Sequence, residues 1–199
     1  ARCTYWKDNI PPDTSDDTAI HDGFNAWQHA ACSYLRFNFA GSIETNNGHS
    51  TLSSNGPPSD SNDVMWHEGN TWKHGSLVLG VTSKLYYPHS GEIIEADIGF
   101  NGRHHTWSTD GTGGTIDVFS IALHEQGHFV GLQHAFGFEG QTDTPSMVPA
   151  YNPSDTDKGV HEDDLIGLCY LYPTDQSCQE QADCPFILSG SGNNEKYIG

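Results

Sequence analysis

The sequence predicts an α+β domain with an α/β-type sheet, and three observations carry that expectation. An amphipathic helix stands between two strand-like segments near the start. Two apolar runs in the middle are joined by a tight turn. A strong helix and a shorter one follow late in the chain.

Residues 4–10 read as a first strand that ends at Pro11 and Pro12. Thr14, Ser15, Asp16 and Asp17 mark a helix start, with acids near the positive end of the dipole. Ile20, Phe24 and Trp27 follow at i, i+4 and i+7, which gives about four turns. Residues 34–39 alternate as a second strand, and residues 44–61, rich in Gly, Asn, Ser and Pro, read as a long loop. Residues 63–67 are a short strand. Residues 77–87 and 92–100 are apolar runs whose joint at Pro88, His89, Ser90 and Gly91 suits a hairpin turn. Thr115 is the expected cap of a helix through Val130, residues 131–160 are irregular, and residues 165–172 form a last helix stopped by Pro173. Residues 174–199 read as a polar tail that carries two cysteines.

The 199 residues suit one domain with a short tail, long enough to bury a core without relying on disulfides. With 26 acids against 8 bases the net charge is −18, which repels nucleic acid and anionic lipid and favours cationic substrates at a distance. No apolar run approaches the ~18 residues that a bilayer span needs, so no membrane insertion is expected. A monomer is expected. No signal peptide precedes Ala1, as in a chain that begins after processing or at an artificial boundary.

The chemistry concentrates in His124-Glu125-Gln126-Gly127-His128-Phe129-Val130-Gly131-Leu132-Gln133-His134. On a helix, His124 and His128 project from one face a turn apart, a spacing that suits one tetrahedral zinc. Glu125 lies beside them, able to reach a metal-bound water without ligating the metal. Gly131 can take a positive φ, ending the helix so that His134 returns as third ligand. Three histidines leave the fourth position open, where zinc lowers the pKa of bound water towards ~7. Glu125 is then the general base for attack on a peptide carbonyl.

Those eleven residues fit HExxHxxGxxH, and the chain resembles the metzincin metallopeptidases. The segment from Ser146 to Tyr151 resembles their Met-turn, with Met147 beneath the metal. Within metzincins the chain resembles the matrixins, the matrix-metalloproteinase family, and its bacterial members most. Met147, Pro149 and Tyr151 match the segment that walls the S1′ pocket, and Phe138 and Val148 are further candidates there. Residues 160–168 with Leu171 and Tyr172 resemble the C-terminal helix. Phe24-Asn25-Ala26-Trp27 and Leu35-Arg36-Phe37 resemble the first helix and second strand. The likeness covers residues 4–173, and only the zinc motif is highly specific.

The resemblance implies a zincin/metzincin fold: a twisted five-stranded mixed sheet, three helices and an active-site cleft. It implies a catalytic domain over residues 1–173, with an upper subdomain to about 134 and a lower one over 135–173. Strand four is implied as an antiparallel edge above the cleft, with residues 77–87 as the candidate. The implied activity is that of a secreted, extracellular zinc endopeptidase acting on extended polypeptides, with one catalytic Zn2+. Three departures stand out, the first being that the 13 residues from His134 to Met147 are long for a matrixin, which bears on the shape of S1′. Ala135 replaces the Ser usual in animal matrixins, and the stretch from Glu68 to Ser76 is short for the loop that carries a second zinc and calcium. No clear motif supports Ca2+. His67, His74, His89, His104 and His105 read as surface histidines, and Asp155-Thr156-Asp157 as a solvated loop.

None of the five cysteines forms a CxxC pair, so disulfides in an oxidising compartment are the better reading. If the first two strands are parallel neighbours, the crossover helix brings a Cys3–Cys32 bridge within reach. Cys178–Cys184 reads as a small loop, and Cys169 is either buried near Leu168 or paired into the tail. Arg2-Cys3 also resembles the matrixin propeptide switch, whose thiolate fills the open zinc position, although the Gly and Pro expected after it are absent. Three readings therefore stand: a zinc endopeptidase, a non-enzymatic zinc module that binds extended peptides, and a latent form plugged by Cys3. Glu125 favours the first over the second.

Overall fold

The computed structural model describes residues 2–7, 14–44, 62–138, 141, 144–153 and 158–174, with 2–7, 14, 15 and 42–44 as backbone only. The main strands are β1 (Arg2–Lys7), β2 (Asn38–Glu44), β3 (Asn62–His67), β4 (Gly80–Tyr86) and β5 (Ile93–Asn101). Two short strands, β6 (Trp107–Ser108) and β7 (Ile116–Asp117), pair with each other apart from them. The helices are α1 (Thr14–Gln28), α2 (Val118–Phe129) and α3 (Glu162–Leu171).

The main sheet runs β2-β1-β3-β5-β4. Its β1–β2, β1–β3 and β3–β5 pairs are parallel, and β4 lies antiparallel to β5 at one end. The β4–β5 hairpin closes where expected. Tyr87 N–H donates to Glu92 O at 2.9 Å and Gly91 N–H to Tyr87 O at 2.8 Å, with Gly91 at φ +71°.

Alternation along the strands sends Val64, Trp66, Ile98 and Phe100 into one core with Ile20, Phe24 and Trp27 of α1. Polar anchors fix how α1 meets α2. Trp27 Nε1 donates to Leu123 O at 3.0 Å, and Gln126 Nε2 donates to Ile20 O at 2.8 Å. A burial this complete needs each such N–H satisfied, and here both are.

Four expectations are corrected. The second strand starts at Asn38 instead of residue 34, because the chain after α1 pairs with the chain after α3. Tyr34 N–H donates to Tyr172 O, Thr174 N–H donates to Cys32 O, and Ser33 bridges Pro173. That displaces Cys32 from the sheet: Cys3 stands in register with Phe39, and Cys32 is bonded to Cys169, their Cα atoms 5.5 Å apart. The Cys3–Cys32 bridge is therefore wrong. Helix α2 is capped by Asp117, which accepts from Ser120 N–H at 2.8 Å, while Thr115 bonds back to Thr112 O. Helix α3 starts earlier than read, because Asp164 accepts from His161 N–H at 3.0 Å and three acids fill its first turn. Of the expected loop over 44–61, Glu44 belongs to β2; residues 45–61, the side chain of Cys3, the acids at 155 and 157, and residues 175–199 of the expected tail, with Cys178 and Cys184, lie outside the described residues.

Candidate metal centre and cleft

Helix α2 ends in a turn that the sequence writes with one glycine. Gly131 sits at φ +105°. Its N–H donates to His128 O and Leu132 N–H donates to Gly127 O, each at 2.9 Å, which is the paired bonding of a Schellman motif. The turn also places Leu132 O 2.8 Å from His128 Nδ1. His124 Nδ1 lies 2.7 Å from Ser146 O. A carbonyl can only accept, so both Nδ1 atoms carry the proton and both Nε2 atoms keep a lone pair.

Those lone pairs converge with that of His134. The Nε2 atoms of His124 and His134 are 3.2 Å apart, and one nitrogen from each of the three rings falls within 4.8 Å of the others. Tetrahedral zinc with Zn–N near 2.0–2.1 Å requires about 3.3 Å between ligand nitrogens, a spacing the His124–His134 pair already has, and three imidazole donors suit that ion. Burial drives His124 down to about 4 and His128 to about 3, and lowers His134. At neutral pH all three imidazoles are uncharged, as metal ligands must be.

Glu125 is 5% exposed. Burial pushes its carboxyl up to about 7, against the opposing pull of the Thr82 hydrogen bond and the Lys84 charge. Thr82 Oγ1 lies 2.6 Å from Glu125 Oε2 and 2.9 Å from Glu125 O. A hydroxyl has one proton and can use both contacts. It donates to an ionised carboxylate, or accepts from a protonated one while donating to the backbone oxygen.

Beneath the histidines, Met147 is 2% exposed, and Ala135 N–H donates to its carbonyl at 2.9 Å. Asp164 holds this turn from α3, accepting from Ser146 N–H at 2.8 Å and Met147 N–H at 3.2 Å. The carbonyl that orients His124 is thus fixed by a buried carboxylate two steps away.

A cleft of about 1000 Å³ runs past the three histidines and Glu125. β4 residues Gly80, Thr82 and Lys84 line one side, and Val148, Pro149 and Tyr151 line the other. Tyr151 Oη accepts from Asp117 N–H at 3.1 Å, tying the wall to the start of α2. Phe138 packs against the hydrophobic core and is absent from this lining. Of the remaining histidines, His74, His89 and His104 are exposed and His105 is half-buried with Nε2 2.8 Å from Ser76 O. His67 is not at the surface. It closes β3, an inner strand, and is 3% exposed. Among the described residues no second group of three ligating side chains forms.

The contributions of Thr82, Lys84 and Asp164 had no signature in the sequence. The only available signal was the period-2 spacing of Gly80, Thr82 and Lys84, which places them on one strand face.

The family model for matrixins matches residues 3–173. The chain is similar to metalloendoproteinase 4-MMP of Arabidopsis thaliana, with 29% identity over 101 residues, 49% of this chain and 26% of that protein. It is also similar to karilysin of Tannerella forsythia, with 26% identity over 133 residues, 64% of this chain and 23% of that protein. The chain spans about a quarter of the length of these curated relatives.

Proposed function

The chain belongs to the matrixin family of zinc metalloendopeptidases, and from that premise we propose that it is a secreted enzyme cleaving extended polypeptides. His124, His128 and His134 hold the zinc, Glu125 is the general base, Met147 supports the site, and Pro149 and Tyr151 wall S1′. Residues 1–173 form the catalytic domain, acting as a monomer, with the cleft between an upper subdomain and the lower one from residue 135. The disulfide between Cys32 and Cys169 supports an oxidising, extracellular setting. No helix among the described residues is long and apolar enough to cross a membrane.

Bound zinc supplies Lewis acidity to a peptide carbonyl and to water. The rest falls to the chain. His124 and His128, each tied through Nδ1 to a backbone carbonyl, keep Nε2 aimed at one point without a proton. Glu125 has Oε2 bonded to Thr82, which leaves Oε1 to take a proton from the attacking water and return it to the leaving nitrogen. β4, as the end strand, offers backbone groups to which an extended peptide adds as a further strand. Recognition is then largely through the peptide backbone.

What supports this reading most is the convergence of three neutral imidazoles beside a buried carboxylate on an open cleft. The test is cleavage of a quenched fluorescent peptide library, with and without a zinc chelator, beside a Glu125→Ala control. Chelator-sensitive cleavage that disappears in the variant is expected. A protein that binds one zinc per chain and cleaves nothing would sink the proposal.

A further inference from the structure

The strand that borders the cleft also grips the general base. Three alternate residues of β4 face α2 around Glu125. A Cβ added at Gly80 would lie 2.7 Å from both Cγ and Oε1 of Glu125, so that glycine is the wall against which the carboxylate rests. Thr82 Oγ1 meets Oε2 at 2.6 Å and the Glu125 backbone oxygen at 2.9 Å. Lys84 Nζ donates to His128 O at 2.8 Å, which puts an ammonium near the same carboxylate.

Space, a donor and a charge for Glu125 therefore come from one strand and none from its own helix. A glutamate on a helix has broad freedom about its last torsion, and zinc ligation does nothing to limit it. Holding one carboxylate oxygen decides where the other points. With Glu125 ionised, the one hydroxyl proton goes to Oε2, and that bond limits the freedom of the carboxylate head.

We propose that Thr82 is a positioning residue for Glu125, its hydroxyl fixing Oε2 so that Oε1 faces the reacting water. This rests on the reading of Glu125 as the general base. Thr82 touches neither substrate nor metal in this role and acts only through the carboxylate.

The test compares Thr82→Val, which keeps the branched shape and removes the donor, with Thr82→Ser, which keeps the donor and removes a methyl. For each, kcat and KM are measured on one quenched peptide, zinc affinity by competition with a chelator, and the melting temperature. Losing a hydrogen bond to a charged group corresponds to a fall of about 10- to 100-fold, and that fall is expected in kcat for Thr82→Val. KM and zinc affinity are expected to stay put, and Thr82→Ser to recover most of kcat. Gly80→Ala, which crowds Oε1 with the hydroxyl intact, is expected to lose kcat too. An unchanged kcat in Thr82→Val, a loss confined to KM, or a Thr82→Ser as slow as Thr82→Val would overturn the proposal. A wild type without chelator-sensitive cleavage would overturn the endopeptidase reading and this proposal with it. An active wild type matched by Thr82→Val would overturn this proposal alone.

Discussion

Gly127 leaves bare the patch of α2 on which Met147 rests: a Cβ there would overlap Met147 Sδ and come within 2.9 Å of the Trp27 ring. The motif helix, the first helix and the turn below the histidines thus meet at one missing methyl. Gly127→Ala sets two effects against each other. Helix propensity favours alanine by about 1 kcal/mol, and overpacking a filled core costs about 1–3 kcal/mol. Met147 is 2% exposed and Trp27 0%, so neither has room to yield and the clash prevails. The melting temperature is expected to fall, and a rise would show that the turn adapts.

Asp164 is 2% exposed and accepts from the N–H groups of Ser146, Met147 and His161. Asp164→Ala leaves the buried Met147 N–H without a partner at about 1–3 kcal/mol and removes two part-buried bonds besides, so a loss of about 2 kcal/mol or more is expected. Because Ser146 O orients His124, zinc affinity is expected to weaken by about 10- to 100-fold. Urea unfolding and chelator competition check the two effects. Asp164→Asn, which keeps an acceptor oxygen, is expected to fall between.

Glu125→Gln separates catalysis from stability. Without its base the enzyme is expected to lose about 10²–10⁴ in kcat while retaining zinc. The metal-free protein moves the other way. The Glu125 carboxyl is raised to about 7 in the folded state from an ordinary 4.5. Between those values the folded chain holds the extra proton, so this group's contribution to stability is present below about pH 4.5 and is lost as pH rises through 7. Glutamine has no such loss. Metal-free Glu125→Gln is therefore expected to gain on wild type from pH 5 to pH 8, read as the difference in urea midpoints. A constant difference would show that the carboxyl is not perturbed.

How much of this was legible before any coordinates depends on whether the contact is local. His124, Glu125, His128 and Gly131 lie within eight residues of one another, and the helix period with one glycine C-cap dictates their arrangement. The hairpin at Pro88 to Gly91 was legible for the same reason. Thr82 was not: a polar residue at alternate positions of an end strand looks like a solvent-facing one until α2 is packed on that face. Asp164 was hidden in an acidic run at a helix start, where a carboxylate looks like a dipole or cap residue and its reach to Ser146 and Met147, 18 and 17 residues away, has no local pattern. Cys32 was misassigned because its partner is decided by how the chain after α1 meets the chain after α3, a contact no local pattern encodes.

The Cys32–Cys169 bridge joins residues 137 apart in sequence. A loop of that size corresponds to about 5 kcal/mol in the loop-entropy description. The double variant Cys32→Ser with Cys169→Ser is expected to melt well below wild type. Reductant is expected to lower the wild-type melting temperature towards that of the variant and to leave the variant unmoved. Equal melting temperatures for the oxidised wild type and the variant would contradict this.

The same bridge bears on how the molecule ages in the presence of peptidases, its own kind included. Any single nick between its two ends, which bracket the sheet from β2 onward, the zinc motif and the Met147 turn, produces two fragments that remain one covalent particle. Such damage is silent on a non-reducing gel and appears as two bands only after reduction. A nicked molecule also keeps its pieces at high effective concentration, so a severed surface loop need not scatter the histidines that the packed elements hold together.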